Sequence, residues 1–537
     1  MNTIDTINES LFGLYVNDPK FMEELQEVKT YYEFYNGRPY QHEDDMQNDT
    51  GQLWKVKDRD YKPTREIRNL TKKLMKKQGR FMTAVPPTIM VSAIDGNIDR
   101  EKLDAKRGVL ESILNEGKFW NKFQKAFMDC TIGKRVLLCA MFEGTQEAVT
   151  DSKIKFRFYT MPEFTYEFDP NDSDKLMRVR IAYQDKSTVG LVPKQQRWHK
   201  YTYTMKDDKG NDLDTCQAIY EIVDGTNATA FLELTSQDTS IDKDGVPTEP
   251  EIDKSYVLLR TEWDTGLSCI PCKVIFNDGL TGDTRGHSDI KDLMDMAMDY
   301  NRTVSDYRDA LRFKMFEQPV FVDVDSRSIE GIKIAPNSII DLKSDPSLGD
   351  GTNATSTARA EMLSGSFNFQ PAVDSYLNQL KKDMYELMEQ PSPEALLSIP
   401  SAKALKMVYY DLITRCEEKW CEWDEAILWL LDLIQECVEK FHLYSHKADI
   451  GNISLDTEIA LVHNFPIPDD EETTKTVAIQ EVQANVRSKK SYIEQYGYAE
   501  DADAEYQTIL DELGAFNEVN NAMLGLDQTT KYKSNED

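Results

Sequence analysis

The sequence predicts an α+β protein, mainly helical, with antiparallel β segments gathered in the N-terminal half. Three observations lead there. Residues 153–275 alternate apolar and polar side chains with period two. Residues 290–311 and 373–387 carry apolar side chains at alternating spacings of three and four. Residues 405–441 carry them at a mean spacing of about 3.6, the repeat of an α-helix.

Composition narrows the classes. The 537 residues hold 63 Lys and Arg against 94 Asp and Glu, a net charge of −31, with 40% apolar residues. That excludes collagen-like and wholly disordered chains, and the length suggests roughly two to four domains. The acid excess argues against a free-standing DNA-binding protein, because phosphate binding needs a basic footprint. Met1 to Tyr15 has no Lys or Arg before its apolar residues, unlike a secretory signal. No run approaches the ~18–20 apolar residues that span a bilayer, so no membrane contact is expected. Eight scattered cysteines are too few for a disulfide framework, which favours a reducing compartment.

Residues 51–80 depart from the acidic average, with eleven bases and three acids. A helix is expected from about Thr64 to Gln78. Its lysines, Lys72, Lys73, Lys76 and Lys77, form a solvated or salt-bridged face, a patch that docks an acidic neighbouring subunit, or a direct nucleic-acid contact. A second helix is expected over Arg100–Ala126, then a buried strand over Arg135–Phe142. Ile154, Phe156 and Phe158 open the period-two region. Hairpins follow, with turns at 207–211 and 242–245 and a strand over Tyr256–Thr261.

After Gly286 the chain turns helical. Ile290, Leu293, Ala297, Tyr300, Val304, Tyr307 and Leu311 form a heptad-type seam. Acids crowd the start of this helix and bases its end, which suits the helix dipole. Pro319–Asp325 and Ile329–Leu342 read as short strands. Lys343–Pro371 is rich in Gly, Ser, Thr and Asn and reads as a mobile or partner-ordered loop. Val373, Leu377, Leu380, Met384 and Leu387 form a second seamed helix. Three prolines break the chain between Glu389 and Ser401, and one long helix of roughly 55–60 Å follows from Leu405 to Phe441. Ile453–Asn464 reads as a strand, Glu471–Leu513 as acidic helix, and the last dozen residues as a disordered tail.

The search for catalytic motifs returns little. Gly133-Lys134 lacks the rest of a phosphate loop, and there is neither a Gly-x-Ser-x-Gly elbow nor a His-Glu-x-x-His pair. Cys269-Ile-Pro-Cys272 lacks the second pair a zinc site needs and reads as ordinary buried cysteines. His442 and His446 stand at i, i+4 near a helix end, without further ligands. Asp242, Asp244 and Glu251 echo a calcium loop, but Pro247 and Pro250 stand where its helix would begin. No metal and no cofactor is expected.

A succession of segments nevertheless resembles one family. Ile270-Pro-Cys-Lys-Val-Ile-Phe-Asn277 precedes Ser288-Asp289-Ile290 and the first seamed helix. Ile399-Pro-Ser-Ala-Lys-Ala-Leu-Lys406 opens the long helix, with Ala402 where Gly is usual. Val462-His-Asn-Phe-Pro-Ile-Pro-Asp-Asp-Glu471 and Ser491 to Glu505 follow. In this order they resemble the portal proteins of tailed bacteriophages, of the siphophage type, well over 270–513 and by order and class alone before that.

The resemblance implies a mainly helical portal fold in a homo-oligomeric ring, a dodecamer, at one capsid vertex of the virion. It implies a wing (1–285 and 403–470), a stem (286–314 and 372–388), a clip (315–371), a tunnel loop (389–402) and a crown with tail (471–537). The clip would dock the large subunit of the terminase motor and later the head-completion adaptor. Major capsid and scaffolding proteins would surround the ring. Double-stranded DNA would pass without sequence preference. The loop residues Glu389, Gln390, Pro391, Ser392, Pro393, Ser398 and Ser401 would touch it, with Lys381 and Lys382 as a basic ring beside them.

The residues agree as far as they go. Two helices with a second face to bury suit head-to-tail packing into a closed ring. Two other classes compete. One is another head or connector component, or a helical scaffold protein. The other is a metal-dependent nuclease with Asp292, Asp295 and Asp299 holding Mg²⁺ on one helix face.

Overall fold

The computed structural model describes residues 19–37, 64–94, 99–142, 153–185, 187–188, 197–207, 210–224, 257–279, 282–315, 318–322, 324, 359–363, 368–394, 396, 402–447, 449–467, 471–497 and 502–523. The chain divides into two units, one of residues 1–392 and 411–465, the other of 393–410 and 466–537.

In the first unit, helices α1 (Pro19–Tyr35) and α2 (Leu70–Thr83) lead to strand β1 (Thr88–Ala93). The expected Thr64–Gln78 helix starts six residues late. Residues 64–69 run extended beside a later helix instead. The backbone amides of Thr64, Glu66 and Arg68 donate to Asp309 Oδ2 (2.8 Å), Ser305 Oγ (3.0 Å) and Asn301 Oδ1 (2.9 Å). Every second amide thus meets every fourth residue of a helix. The Asn69 side chain then caps α2 by accepting from the Lys72 amide at 2.9 Å.

Helices α3 (Arg100–Glu116) and α4 (Phe119–Gly133) replace the single expected helix. Lys118, in the left-handed region at φ 52°, breaks it. A Cβ on Gly117 would run into the Phe156 ring. Strand β2 (Arg135–Phe142) lies where expected, with every described side chain from Val136 to Ala140 buried.

Strands β3 (Ile154–Thr160), β4 (Phe164–Asp169), β5 (Asp172–Gln184), β6 (Arg197–Lys206), β7 (Asp212–Asp224), β8 (Val257–Asp264) and β9 (Cys272–Phe276) bear out the hairpin reading. With β2 they form two sheets, ordered β3-β2-β9 and β4-β5-β6-β7-β8, whose neighbouring strands all pair antiparallel. Their facing sides bury Leu137, Tyr159, Phe164, Val179, Ile181, Tyr203 and Val274. Cys139 and Cys272 stand opposite each other in register, with Cα atoms 4.3 Å apart, and are joined as a disulfide. Cys272 is therefore not an ordinary free buried cysteine, whereas Cys269 is free.

Helix α5 (Asp289–Met315) leads through strand β10 (Gln318–Val322) to strand β11 (Arg359–Leu363), its antiparallel partner. The 343–371 stretch is thus not all loop. Val320 and Phe321 give the pairing its β-prone edge. The expected strand 329–342 lies outside the described residues. Helix α6 (Gln370–Leu387) returns antiparallel to α5. Leu380, Met384 and Met388 at its end pack with Ile290, Leu293 and Ala297 at the start of α5, against α1, α2 and α4.

The long helix is two pieces, α7 (Ala402–Val408) and α8 (Tyr410–Phe441), interrupted at Tyr409. Its buried stripe runs from Leu412 to Val438. Trp420 and Trp423 pack on Phe123, with centroids 5.4 and 4.7 Å away. The helix stops at Phe441 and His442 has φ 51°, so His442 and His446 do not share a helix face. Strand β12 (Thr457–Val462) begins later than expected, after a 3₁₀ turn over Ile450–Ser454, and pairs with β1.

In the second unit, helices α9 (Glu471–Gln483), α10 (Lys489–Tyr496) and α11 (Ala502–Met523) follow α7 in sequence. The acidic stretch is therefore three helices. Asn485, at φ 58°, lies in the first break, and Ser488 caps α10 by accepting from Ser491. The last dozen residues and the possible calcium loop at 240–251 lie outside the described residues.

Candidate functional site

The sequence singled out residues 389–401, where two long helices meet. The structure shows how that segment starts. Helix α6 ends at Leu387, and Glu389 turns the chain with φ 52°. The Glu389 and Gln390 amides donate back to the Glu386 and Tyr385 carbonyls, each at 2.9 Å. The buried Gln390 donates through Nε2 to the Leu74 carbonyl at 2.9 Å. Lys77 donates through Nζ to the Pro391 carbonyl at 3.0 Å and lies 5.6 Å from the Tyr385 ring centre. Burial, with Lys73 nearby, lowers the pKa of the Lys77 ammonium. Helix α2 thus holds the first residues of the loop in place.

Beneath them lies a buried polar junction. Asp289, at the first turn of α5, is 1% exposed. It accepts from Asn277 Nδ2 (2.8 Å), Gln78 Nε2 (3.1 Å) and Lys419 Nζ (3.0 Å), and Arg415 lies 3.6 Å away. Lys419, 4% exposed, also donates to Asn277 Oδ1 (2.8 Å) and Asp278 Oδ2 (2.7 Å). Arg415 reaches on to Glu389, at 3.8 Å. Burial alone would raise the Asp289 carboxyl, but Lys419, Arg415 and the Asn277 hydrogen bond hold it well below the usual carboxylate range. The junction joins the start of α5, the first third of α8, helix α2 and the exit of α6.

Sequence reasoning missed these residues. The signal for Lys419 lay in its position: three residues after Cys416 and four before Trp423, it sits on the apolar stripe of α8. A charge there needs a buried partner. Asp289 was read as a favourable charge at a helix start and is also that partner.

The other expected residues scatter. Lys381 is half-buried. Lys382 is exposed and pairs with Glu386 at 3.5 Å, one helical turn away. Ser392 is half-buried and Pro393 exposed, while Ser398 and Ser401 lie outside the described residues. On α2, Lys72 lies 4.9 Å from the Tyr35 ring centre, and Lys73 and Lys76 are exposed. Among the described residues, no three His, Cys, Asp or Glu side chains gather in a group that could hold a metal ion. Asp292 meets His287 at 3.1 Å and Asp299 accepts from the Tyr376 hydroxyl, so these acids are spread over separate partners. Among the described residues no helix is long and apolar enough to cross a membrane.

A family model described as "Phage portal protein, SPP1 Gp6-like" matches residues 18–518. No curated protein matches the chain. With nearly its whole length matched, the chain belongs to the SPP1 Gp6-like family of phage portal proteins, non-enzymatic virion components that form an oligomeric ring at a capsid vertex through which DNA passes.

Proposed function

We propose that twelve copies of the chain form the ring. Helices α5 and α6 would be its stem, 1–285 with 403–470 its wing, 315–371 its clip and 471–537 its crown with tail. The observation that carries this reading is the uneven cover of the α5–α6 hairpin, buried at one end and open at the other. Its seam is buried from Ile290 to Val304 and at Leu380 and Met384, whereas Leu311, Phe369 and Tyr376, toward the other end, are 39–47% exposed. A hairpin with apolar side chains left open at one end is completed by copies of itself around a closed ring.

Residues 389–402 would then form a constriction around DNA, held from behind by Lys77, Gln390 and Arg415. A short, proline-stiffened loop contacts a passing duplex by shape. An acidic bore suits sliding, since counterion-releasing phosphate contacts would hold DNA back. Lys381 and Lys382 would form a basic ring that damps the repulsion of phosphates. Lys72, Lys73, Lys76 and Lys77 would lie at or near the contact between subunits. The clip would dock the large terminase subunit and then the head-completion adaptor, with major capsid and scaffolding proteins around the ring.

The test compares ring formation with packaging. Shortening 391–399 is expected to leave rings intact in electron micrographs and to lower DNase-protected DNA in a packaging reaction. Unchanged packaging would remove this loop from the DNA path.

A further inference from the structure

We propose that neighbouring subunits meet through two matched charge stripes, Lys73, Lys76 and Arg80 on α2 of one copy against Asp292, Asp295 and Asp299 on α5 of the next. The inference rests on the ring reading above and names the surfaces that would build the ring.

Both stripes have the same spacing. Each places three like charges at i, i+3 and i+7, and so along one helix face over about 10 Å. Lys73, Lys76 and Arg80 are exposed, as are Asp292 and Asp295, and Asp299 is half-buried. The neighbouring lysines of α2 are engaged elsewhere, Lys72 on the Tyr35 ring and Lys77 on the Pro391 carbonyl. Among the described residues, Lys73, Lys76 and Arg80 enter no ion pair, although the chain carries a net charge of −31. Beside them a cleft of about 500 Å³ opens between α1, α2 and α4. Lys125 adds a fourth cation at its edge, and Tyr32, Met128 and Ile132 line it. Asp129 also lines it and accepts from the Tyr32 hydroxyl at 3.1 Å.

The two stripes of one copy cannot meet each other. Helix α5 turns Ile290, Leu293, Ala297, Tyr300 and Val304 inward, against a core that includes Leu74 and Met75 of α2. Asp292, Asp295 and Asp299 fall on the far side of that helix by the 3.6-residue repeat. The partner of the basic stripe is then a second copy. A contact between two different faces of one chain is head-to-tail, the kind that closes into a ring.

The test uses the full chain in three forms: wild type, Lys73→Glu with Lys76→Glu and Arg80→Glu, and Asp292→Lys with Asp295→Lys. Circular dichroism and a thermal melt verify that each variant folds. Native mass spectrometry then measures the ring fraction at equal concentration and low salt. Reversing either stripe sets like charges face to face, and the ring fraction is expected to fall about tenfold or more. Mixing the two folded variants in equal amounts restores opposite charges at every contact, so rings should return with the two variants in equal number. Rings from either variant alone at the wild-type fraction would overturn the proposal and leave the ring reading standing. So would folded variants that fail to rescue each other. Absence of rings from the wild-type chain would instead overturn the ring reading itself.

Discussion

Replacing Asp289 with Asn tests the junction that holds α5, α8 and the start of the 389–401 segment together. Asn keeps the size of the side chain and removes its charge. Lys419 and Arg415 then lose their most buried anion. Breaking a buried pair by removing one partner costs about 3–5 kcal/mol. Lys419 keeps Asp278 at 2.7 Å, and that carboxylate is 38% exposed, so the lower end, about 3 kcal/mol, is expected. Trp420 and Trp423 lie within four residues of Lys419 in a buried aromatic cluster, and their fluorescence reports unfolding there. Urea denaturation at fixed protein and salt concentration gives the difference, since assembly also contributes to stability. The effect has a definite pH dependence. The folded Asp289 carboxyl titrates below its unfolded value of about 3.9. The unfolded chain therefore takes up the proton first as pH falls. The stabilisation is whole above about pH 5 and fades as the pH drops below about 4. A loss under about 1 kcal/mol at pH 7 would mean that Asp289 does not anchor the junction. So would a difference that persists undiminished at pH 3.

Three further outcomes are expected. Gly286→Ala should cost about 1–3 kcal/mol in the same denaturation assay, because Gly286 has φ +71° and a Cβ there would collide with the Lys134 carbonyl; wild-type stability would contradict this. Lys77→Met should lose about 1 kcal/mol and lower the DNase-protected DNA per assembled ring if a fixed Pro391 positions the loop; full packaging per ring would argue against that role. Lys381→Glu with Lys382→Glu should spare both fold and ring, since Lys382 makes a surface pair worth little, and should reduce packaging; unchanged packaging would exclude a basic ring at this level.

Much of the fold was legible in the sequence, and the misses have physical causes. Strand β2 and the period-two hairpins were readable because each has one face turned to a core, so burial prints directly onto the residue order. Helix α5 and helix α6 were readable for the same reason. Breaks inside helical patterns were not. At Gly117–Lys118 the pattern stays compatible with helix, and only the nearby Phe156 ring shows why the chain must turn. Residues 64–69 were misread because their amides bond to Asn301, Ser305 and Asp309, 233–245 residues away. The same limit hid the junction. The tether from Lys77 to Pro391 crosses 314 residues, and no local pattern announces such a contact. Lys419 was detectable as a charge on an apolar stripe, but its partner Asp289 lies 130 residues before it.

Passage of DNA requires a closed ring with a channel wide enough for a duplex. Negative-stain microscopy of the purified chain, with native mass spectrometry over a range of salt and concentration, tests it most directly. Annular particles with a central hole and a mass twelve times the 61.8 kDa of one chain are expected. Monomers and dimers alone, under every condition, would contradict it.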